Sequence, residues 1–196
     1  MPETHPHAEW SGKMFDLMRE ANVKLFAHVP DAGNDRLIAL AEENNNTRAV
    51  LLTTEEEGVA ICAGADLVGE RAVLCMQSSG LGNCPNYLSL AKGARFPLLM
   101  MISMRGDYGE QNPWQYPMAN AVEPLLEAIA QGAGFLSTMS ISEPAQVADA
   151  AAFIQNAPGP RFLLARVLPT LPAAFKRDMD MAACRVRFRD HFAANA

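Results

Sequence analysis

Apolar positions along this chain follow two alternating rhythms, one helical and one extended. Met14, Leu17, Met18 and Ala21 recur at helical spacing and predict an amphipathic helix from Trp10 to Ala21. The run 25–29 (LFAHV) predicts a short strand, closed by the turn Pro30-Asp31-Ala32-Gly33. A second helix is expected over 34–43, with Leu37, Ile38, Leu40 and Ala41 inward, and the triplet Asn44-Asn45-Asn46 ends it. Strand 49–53 and helix 55–68 follow, the helix stopped by Gly69. Residues 72–76 (AVLCM) form an unbroken apolar run, as expected of a parallel strand covered on both faces. Asn83 is placed to cap a helix running to about Ala94, with Pro85 tolerated in its first turn. After a strand at 98–103, residues 104–117 read as a long irregular loop, a kind of segment that often carries function. A helix (119–131), a strand (135–139), a helix (143–155), the turn 157–160 and a last strand (161–167) complete the pattern.

Six strands alternating with helices predict a three-layer α/β/α domain with a mostly parallel, about six-stranded sheet and right-handed crossovers. Ligands of such sheets bind beyond the carboxyl ends of the strands. The loops 30–33, 53–57, 77–83 and 104–117 each follow a strand, so they are expected to meet at one edge. The chain divides into a polar start (1–9), one domain (10–170) and a C-terminal extension (171–196). In the extension Arg185, Arg187 and Arg189 alternate with Val186 and Phe188, the pattern of an edge strand or of a segment that packs on a partner chain.

Composition narrows the functional classes. Hydrophobic residues make up 49% of the 196 positions and charged residues 19%, a globular balance. The net charge of −6 leaves no basic excess to neutralise phosphates, so neither nucleic acid nor an anionic membrane is an expected partner. Cys62, Cys75, Cys84 and Cys184 form no CxxC pair and have no histidine at metal-ligand spacing. Cys62 and Cys75 read as small buried hydrophobes. The N-terminus lacks an apolar leader and no run of 18 apolar residues occurs, so a cytoplasmic location is expected.

Candidate chemistry gathers in three places. Gln77-Ser78-Ser79-Gly80-Leu81-Gly82-Asn83 follows a buried strand and precedes a helix, which turns backbone amides toward a ligand or simply makes a tight turn. It is neither GxGxxG nor a P-loop. Glu55-Glu56-Glu57 suits a helix N-terminus because of the macrodipole, and burial of one of them would suit it to proton transfer. In the long loop, Arg105 can clamp a carboxylate, sulfonate or phosphonate, or else pair with Asp107 or a neighbouring chain. His28 reads as a satisfied core histidine, while its place near a strand end leaves a proton-transfer role open. No GxSxG or Ser/His/Asp order suggests a hydrolase.

Taken together, T-E-E-E-G-V-A-I-C-A-G-A (54–65), M-Q-S-S-G-L-G-N (76–83) and I-S-M-R-G (102–106) resemble the pyrimidine-binding domain of thiamine-diphosphate-dependent decarboxylases. The alpha subunits of sulfopyruvate decarboxylase are the nearest match and phosphonopyruvate decarboxylases the next. The resemblance covers about residues 10–170. It implies a thiamine-diphosphate-binding fold of the pyrimidine type. It also implies a catalytic glutamate that bonds ring nitrogen N1′ of the cofactor's aminopyrimidine, and the family spacing of nine residues before Gly64 selects Glu55. Ser79, Gly80, Gly82 and Asn83 would line the cofactor. Pro30 and Asp31 match the V-P-D turn on the substrate side, and Arg105 and Gln115 join them there. Met104 departs from the family, whose members carry histidine or tryptophan at that place.

The GDG motif, followed some 25–30 residues later by asparagine, with which the family holds diphosphate and metal has no counterpart in this sequence. The resemblance therefore implies a beta subunit that supplies that half of the site, with Mg2+ held mainly there and no metal ligands in this chain. It leaves room for homo-association through the same face. The implied reaction is decarboxylation of 3-sulfopyruvate to sulfoacetaldehyde. The alternatives are a phosphonopyruvate-type subunit, a non-catalytic cofactor-binding or regulatory module, and an unrelated flavodoxin-like nucleotide binder.

Overall fold

The structure is a computed structural model that describes residues 6–106, 110, 112–130, 137–155 and 161–165, and near the C-terminus 186, 187, 189–191 and 193. Six strands form one parallel sheet: β1 (Val23–His28), β2 (Arg48–Leu51), β3 (Arg71–Gln77), β4 (Leu99–Ser103), β5 (Ser137–Ile141) and β6 (Arg161–Ala165). Their order across the sheet is β2-β1-β3-β4-β6-β5, with every pair parallel. The α/β class and parallel sheet are those the sequence pattern predicts.

Helices α1 (Pro6–Glu20), α2 (Asp35–Glu43), α3 (Glu55–Leu67), α4 (Pro85–Ala94), α5 (Gln115–Ala130) and α6 (Ala150–Gln155) cover the two faces. One core layer joins Met14, Met18 and Leu37 to Phe26, Val73 and Met101. The other joins Val59, Leu88 and Val122 to Ala27, Leu74 and Met100. All five residues of β4 are buried, which is why a period-two pattern is absent from its sequence.

Element ends differ from expectation where side-chain chemistry intervenes. Asn34 stands at the N-terminal cap of α2 but bonds outward, so the helix starts at Asp35. The serine–glycine segment is a 3-10 turn, Ser78–Asn83, and α4 begins at Pro85 with Cys84 as its cap instead of Asn83. The predicted irregular loop ends early: α5 starts at Gln115, four residues before the expected Ala119. β5 lies two residues later than its sequence pattern suggests, and the helix expected over 143–155 is split into a 3-10 turn, Pro144–Asp149, and α6. In the extension, Val186, Arg187 and Arg189–His191 are helical and exposed, not an edge strand. Asp107, Cys184 and Arg185 lie outside the described residues. Among the described residues no helix is long and apolar enough to cross a membrane.

Topology fixes where a ligand belongs. The chain passes from β1 outward to β2, then returns to lay β3 on the other side of β1. The order reverses between β1 and β3, and the crevice beyond their carboxyl ends is the favoured binding position of such a sheet.

Candidate active site

Four loops reach this edge, and hydrogen bonds tie them together in pairs. Glu55 is the first residue of α3, where its charge faces the positive end of the helix dipole. Its side chain is buried, and Oε2 accepts a 2.7 Å hydrogen bond from Asn83 Nδ2. No described residue donates to Oε1. Gly80 makes this approach feasible: a Cβ there would lie 2.5 Å from Glu55 Oε1 and 2.6 Å from its Cγ. Gly82 does the same for Met118, whose Cε would lie 2.9 Å from an added Cβ. The 3-10 turn thus lies directly against the carboxyl group. Ser79, the other cofactor-side residue expected from the sequence, is half-buried in the same turn.

Of the three glutamates, Glu55 is the one buried as a whole residue. Glu57 is exposed and its Oε2 accepts from the Thr53 amide at 2.9 Å, capping the helix from within. Glu56 is half-buried, and its Oε2 is enclosed without a hydrogen-bond partner.

Asp31 organises the second cluster. Its Oδ1 accepts from the Gly33 amide at 3.0 Å, and its Oδ2 accepts from Asn34 Nδ2 at 2.8 Å and Ser103 Oγ at 2.6 Å. Burial pushes its carboxyl above the ordinary value of 3.8, against the hydrogen bonds from Ser103, Gly33 and Asn34 and the charge of Arg105. Asn34 also donates toward the carbonyls of Met76 and Met101, at 3.3 and 3.5 Å. Asp31 and Asn34 therefore brace the ends of β1, β3 and β4 together. Pro30, beside them, is exposed.

Arg105 follows β4. Its amide donates to Ser78 Oγ at 3.0 Å, linking this loop to the 3-10 turn. Its guanidinium grips Glu110 through two bonds, Nε to Oε2 at 2.7 Å and Nη2 to Oε1 at 2.9 Å. The amides of Asn112 and Gly106 donate to the same carboxylate, at 2.9 and 3.3 Å. Burial acts to raise the Glu110 value, but the Arg105 hydrogen bonds and charge and the two amides outweigh it and hold the carboxyl below 4.5. Gln115 is buried at the start of α5 and donates from Nε2 to Gln77 Oε1 at 3.2 Å, while its own Oε1 is enclosed without a partner.

The structure thus brings all nine sequence-predicted residues to one sheet edge, in two adjoining clusters. It also adds residues that pattern did not single out: Ser78, Asn34, Ser103 and Glu110. Glu110 had no signal, because a pairing five residues away in an irregular loop has no periodicity. The expectation for His28 is corrected in part. It is buried, yet neither ring nitrogen has a hydrogen-bond partner among the described residues, and Glu42 Oε1 stands 4.0 Å away. Cys62, Cys75 and Cys84 are buried; burial pushes the Cys62 and Cys84 thiols up to about 12 and raises Cys75 as well, so they behave as hydrophobes.

No protein-family model matches the chain. Against a 2-oxoglutarate:ferredoxin oxidoreductase from Magnetococcus marinus the fold superposes with a TM-score of 0.60 at 14% identity, covering 81% of this chain and 28% of the other. That likeness concerns the fold alone. The sulfopyruvate decarboxylase subunit alpha of Methanocaldococcus jannaschii is 40% identical over 115 residues, 58% of this chain and 68% of the relative. The corresponding subunit of Methanococcus maripaludis is 34% identical over 120 residues, 61% of this chain and 72% of the relative. A phosphonopyruvate decarboxylase of Streptomyces viridochromogenes is 35% identical over 101 residues, 51% of this chain and 25% of that protein. The chain belongs to the family of sulfopyruvate decarboxylase alpha subunits.

Proposed function

We propose that this chain is the alpha subunit of a thiamine-diphosphate-dependent 2-oxo acid decarboxylase that converts 3-sulfopyruvate to sulfoacetaldehyde and carbon dioxide. The observation that carries the reading is Glu55: a buried carboxyl group at a helix mouth, one oxygen held by Asn83, the other uncommitted, against a glycine that keeps the adjacent space clear. The names and identities of its relatives support the same reading.

The residues present fit the aminopyrimidine half of thiamine diphosphate. Glu55 Oε1 would take the ring nitrogen, and Ser79, Gly80, Gly82 and Asn83 would form the wall beside it. When bound, the cofactor supplies the electron sink that loss of carbon dioxide from a 2-oxo acid requires. The protein's own task is to hold and move a proton at Glu55 Oε1. Asn83 supports that task by fixing the orientation of the carboxyl plane. The diphosphate and Mg2+ are assigned to a second subunit.

On the substrate side, Pro30, Asp31, Arg105 and Gln115 are proposed to meet the 2-oxo acid. Arg105 keeps Nε and Nη2 on Glu110, which leaves Nη1 to meet the sulfonate. Sulfopyruvate presents only acceptor oxygens at neutral pH, so Gln115 would meet it through Nε2, which in this structure donates to Gln77 Oε1.

The test is co-expression with a neighbouring chain that carries GDG followed by asparagine, then assay with thiamine diphosphate and Mg2+ on sulfopyruvate, phosphonopyruvate and pyruvate. Sulfopyruvate should be preferred, and the chain alone should be inactive. Turnover of none of the three would sink the reading; preference for phosphonopyruvate would change the substrate and keep the chemistry.

A further inference from the structure

An arginine–carboxylate pair in water is screened and contributes little. The pair after β4 is enclosed: the side chains of Arg105 and Glu110 are 11% and 4% exposed. The Glu110 carboxylate accepts from Arg105 Nε and Nη2 and from the amides of Gly106 and Asn112. Its backbone is fixed as well, because Tyr116 Oη donates to its carbonyl at 2.8 Å. On the arginine side Gly106 turns the chain at φ +81°, and a Cβ there would lie 2.6 Å from Ala119 Cβ and 2.7 Å from the Gln115 carbonyl oxygen. The first turn of α5 therefore holds both ends of the pair. The consequence is electrostatic. Burial acts to raise the Glu110 value, but the Arg105 hydrogen bonds outweigh it and keep the carboxyl below 4.5, so it stays charged around neutral pH. Arg105 and Glu110 carry opposite unit charges, so the fork is neutral as a whole although Nη1 is still a donor.

We propose that Glu110 determines anion specificity: by neutralising Arg105 it admits a singly charged sulfonate at Nη1 and disfavours a doubly charged phosphonate. This rests on the reading that Arg105 meets the acid group of a 2-oxo acid, and it gives the physical ground on which that group is chosen. A sulfonate carries one charge throughout the neutral range. A phosphonate loses a second proton there, as a phosphate monoester does at a pKa of about 6. Both groups are tetrahedral and offer oxygen acceptors, so a single N–H does not tell them apart by shape; charge does. Without Glu110, Arg105 would attract the second charge. With Glu110 in place, that charge meets a carboxylate across one guanidinium, at roughly 6 Å. At an effective dielectric constant of about 20 this repulsion corresponds to a factor of ~100, and greater exposure to water reduces it toward ~10. Asp31, whose carboxyl feels the Arg105 charge, adds a charge of the same sign when ionised.

The experiment measures binding by calorimetry, so it reads the subsite even without turnover. The probes are 3-sulfopropionate and 3-phosphonopropionate, which carry the two acid groups but lack the reactive carbonyl. Each is titrated into the complex with the GDG-bearing chain, thiamine diphosphate and Mg2+, at about pH 5.5 and about pH 8, on either side of the second phosphonate ionisation. Wild type, Glu110→Gln and Glu110→Asp are compared. Wild type should bind the sulfonate at least tenfold more tightly at the higher pH, with the margin shrinking at the lower. In Glu110→Gln that margin should fall at least tenfold and lose its pH dependence, whereas Glu110→Asp, which keeps the charge, should retain both. Arg105, Asp31, Tyr116 and His28, which lines the same hollow as Asp31, are the other titratable groups around this subsite. All three proteins share them, so the difference reports Glu110. An unchanged margin in Glu110→Gln, an equal loss in Glu110→Asp, a wild type that prefers the phosphonate, or one that binds neither probe overturns the proposal. If Glu110→Gln does not fold, wild type decides, since a margin constant with pH overturns it too. Activity separates the two readings. Probe margins as expected in a complex that decarboxylates no 2-oxo acid remove the proposed function and keep the role of Glu110. Turnover of sulfopyruvate with the same preference over phosphonopyruvate in Glu110→Gln removes that role and keeps the function.

Discussion

Asn83 Nδ2 lies 2.7 Å from Glu55 Oε2, a hydrogen bond between a 3-10 turn and the mouth of a helix 28 residues earlier. It commits one oxygen of the carboxyl group and leaves the other to a ligand. If Glu55 moves the proton, Glu55→Gln should lower kcat by roughly 10²–10⁴-fold, the usual range for a removed acid–base group, with the fold retained. Glu57→Gln should change kcat little, because Glu57 only caps its own helix. Steady-state kinetics of the two variants in the assembled enzyme check this, and the reverse pattern would assign the role to the wrong glutamate.

Gly80 tests the same contact from the other side. Gly80→Ala places a methyl group 2.5 Å from Glu55 Oε1, so the carboxyl group must swing away. The expected result is a loss of turnover approaching that of Glu55→Gln, with a stability cost of about 1–3 kcal/mol from overpacking. Urea unfolding and kcat, measured together, distinguish a displaced carboxyl group from a misfolded chain.

The Arg105–Glu110 pair carries a pH signature. The folded Glu110 carboxyl lies below 4.5, so its contribution to stability is present above about pH 4.5 and is lost as the pH falls through the lower folded value. Glu110→Gln should therefore be less stable than wild type at pH 7, with the difference closing toward acid. Urea midpoints across the pH range read it directly; a difference that does not change with pH would show that the charge on Glu110 contributes nothing.

Asp31 behaves with the opposite sign. Its folded value is raised above 3.8, so the stability linked to its neutral form is present below that value and lost as the pH rises through the folded one. Ser103→Ala removes a donor that lowers the value, so Asp31 should titrate at still higher pH in the variant. The cost should be about 1–3 kcal/mol where Asp31 is ionised, the penalty of a buried acceptor that loses a partner. Carboxyl-carbon NMR titration of Asp31 is the measurement, and an unmoved or lowered midpoint would refute the brace described for β1 and β4.

Much of the architecture was legible in the sequence because burial writes itself into period. The unbroken apolar runs of β3 and β4 report strands covered on both faces, and Leu37, Ile38 and Ala41 report the inner face of α2. Resemblance to a family, through the spacing of Glu55 to Gly64, singled out one glutamate of three. Pattern alone offered Asn83 as a helix cap and the resemblance as a cofactor-lining residue; its bond to Glu55 was legible from neither, since propensity describes a residue's own backbone and not a side chain that spans two loops.

By itself, then, the sequence determined the α/β class and the edge at which four loops meet, both of which depend on local pattern, while its resemblance to a family singled out the candidate glutamate. Only the tertiary structure decided which groups are committed there: Arg105 to Glu110, Asp31 to Ser103 and Asn34, and one oxygen of Glu55 to Asn83. Such pairings depend on distances between segments far apart in the chain. These are set by how the sheet orders its strands, and no periodicity along the chain records them.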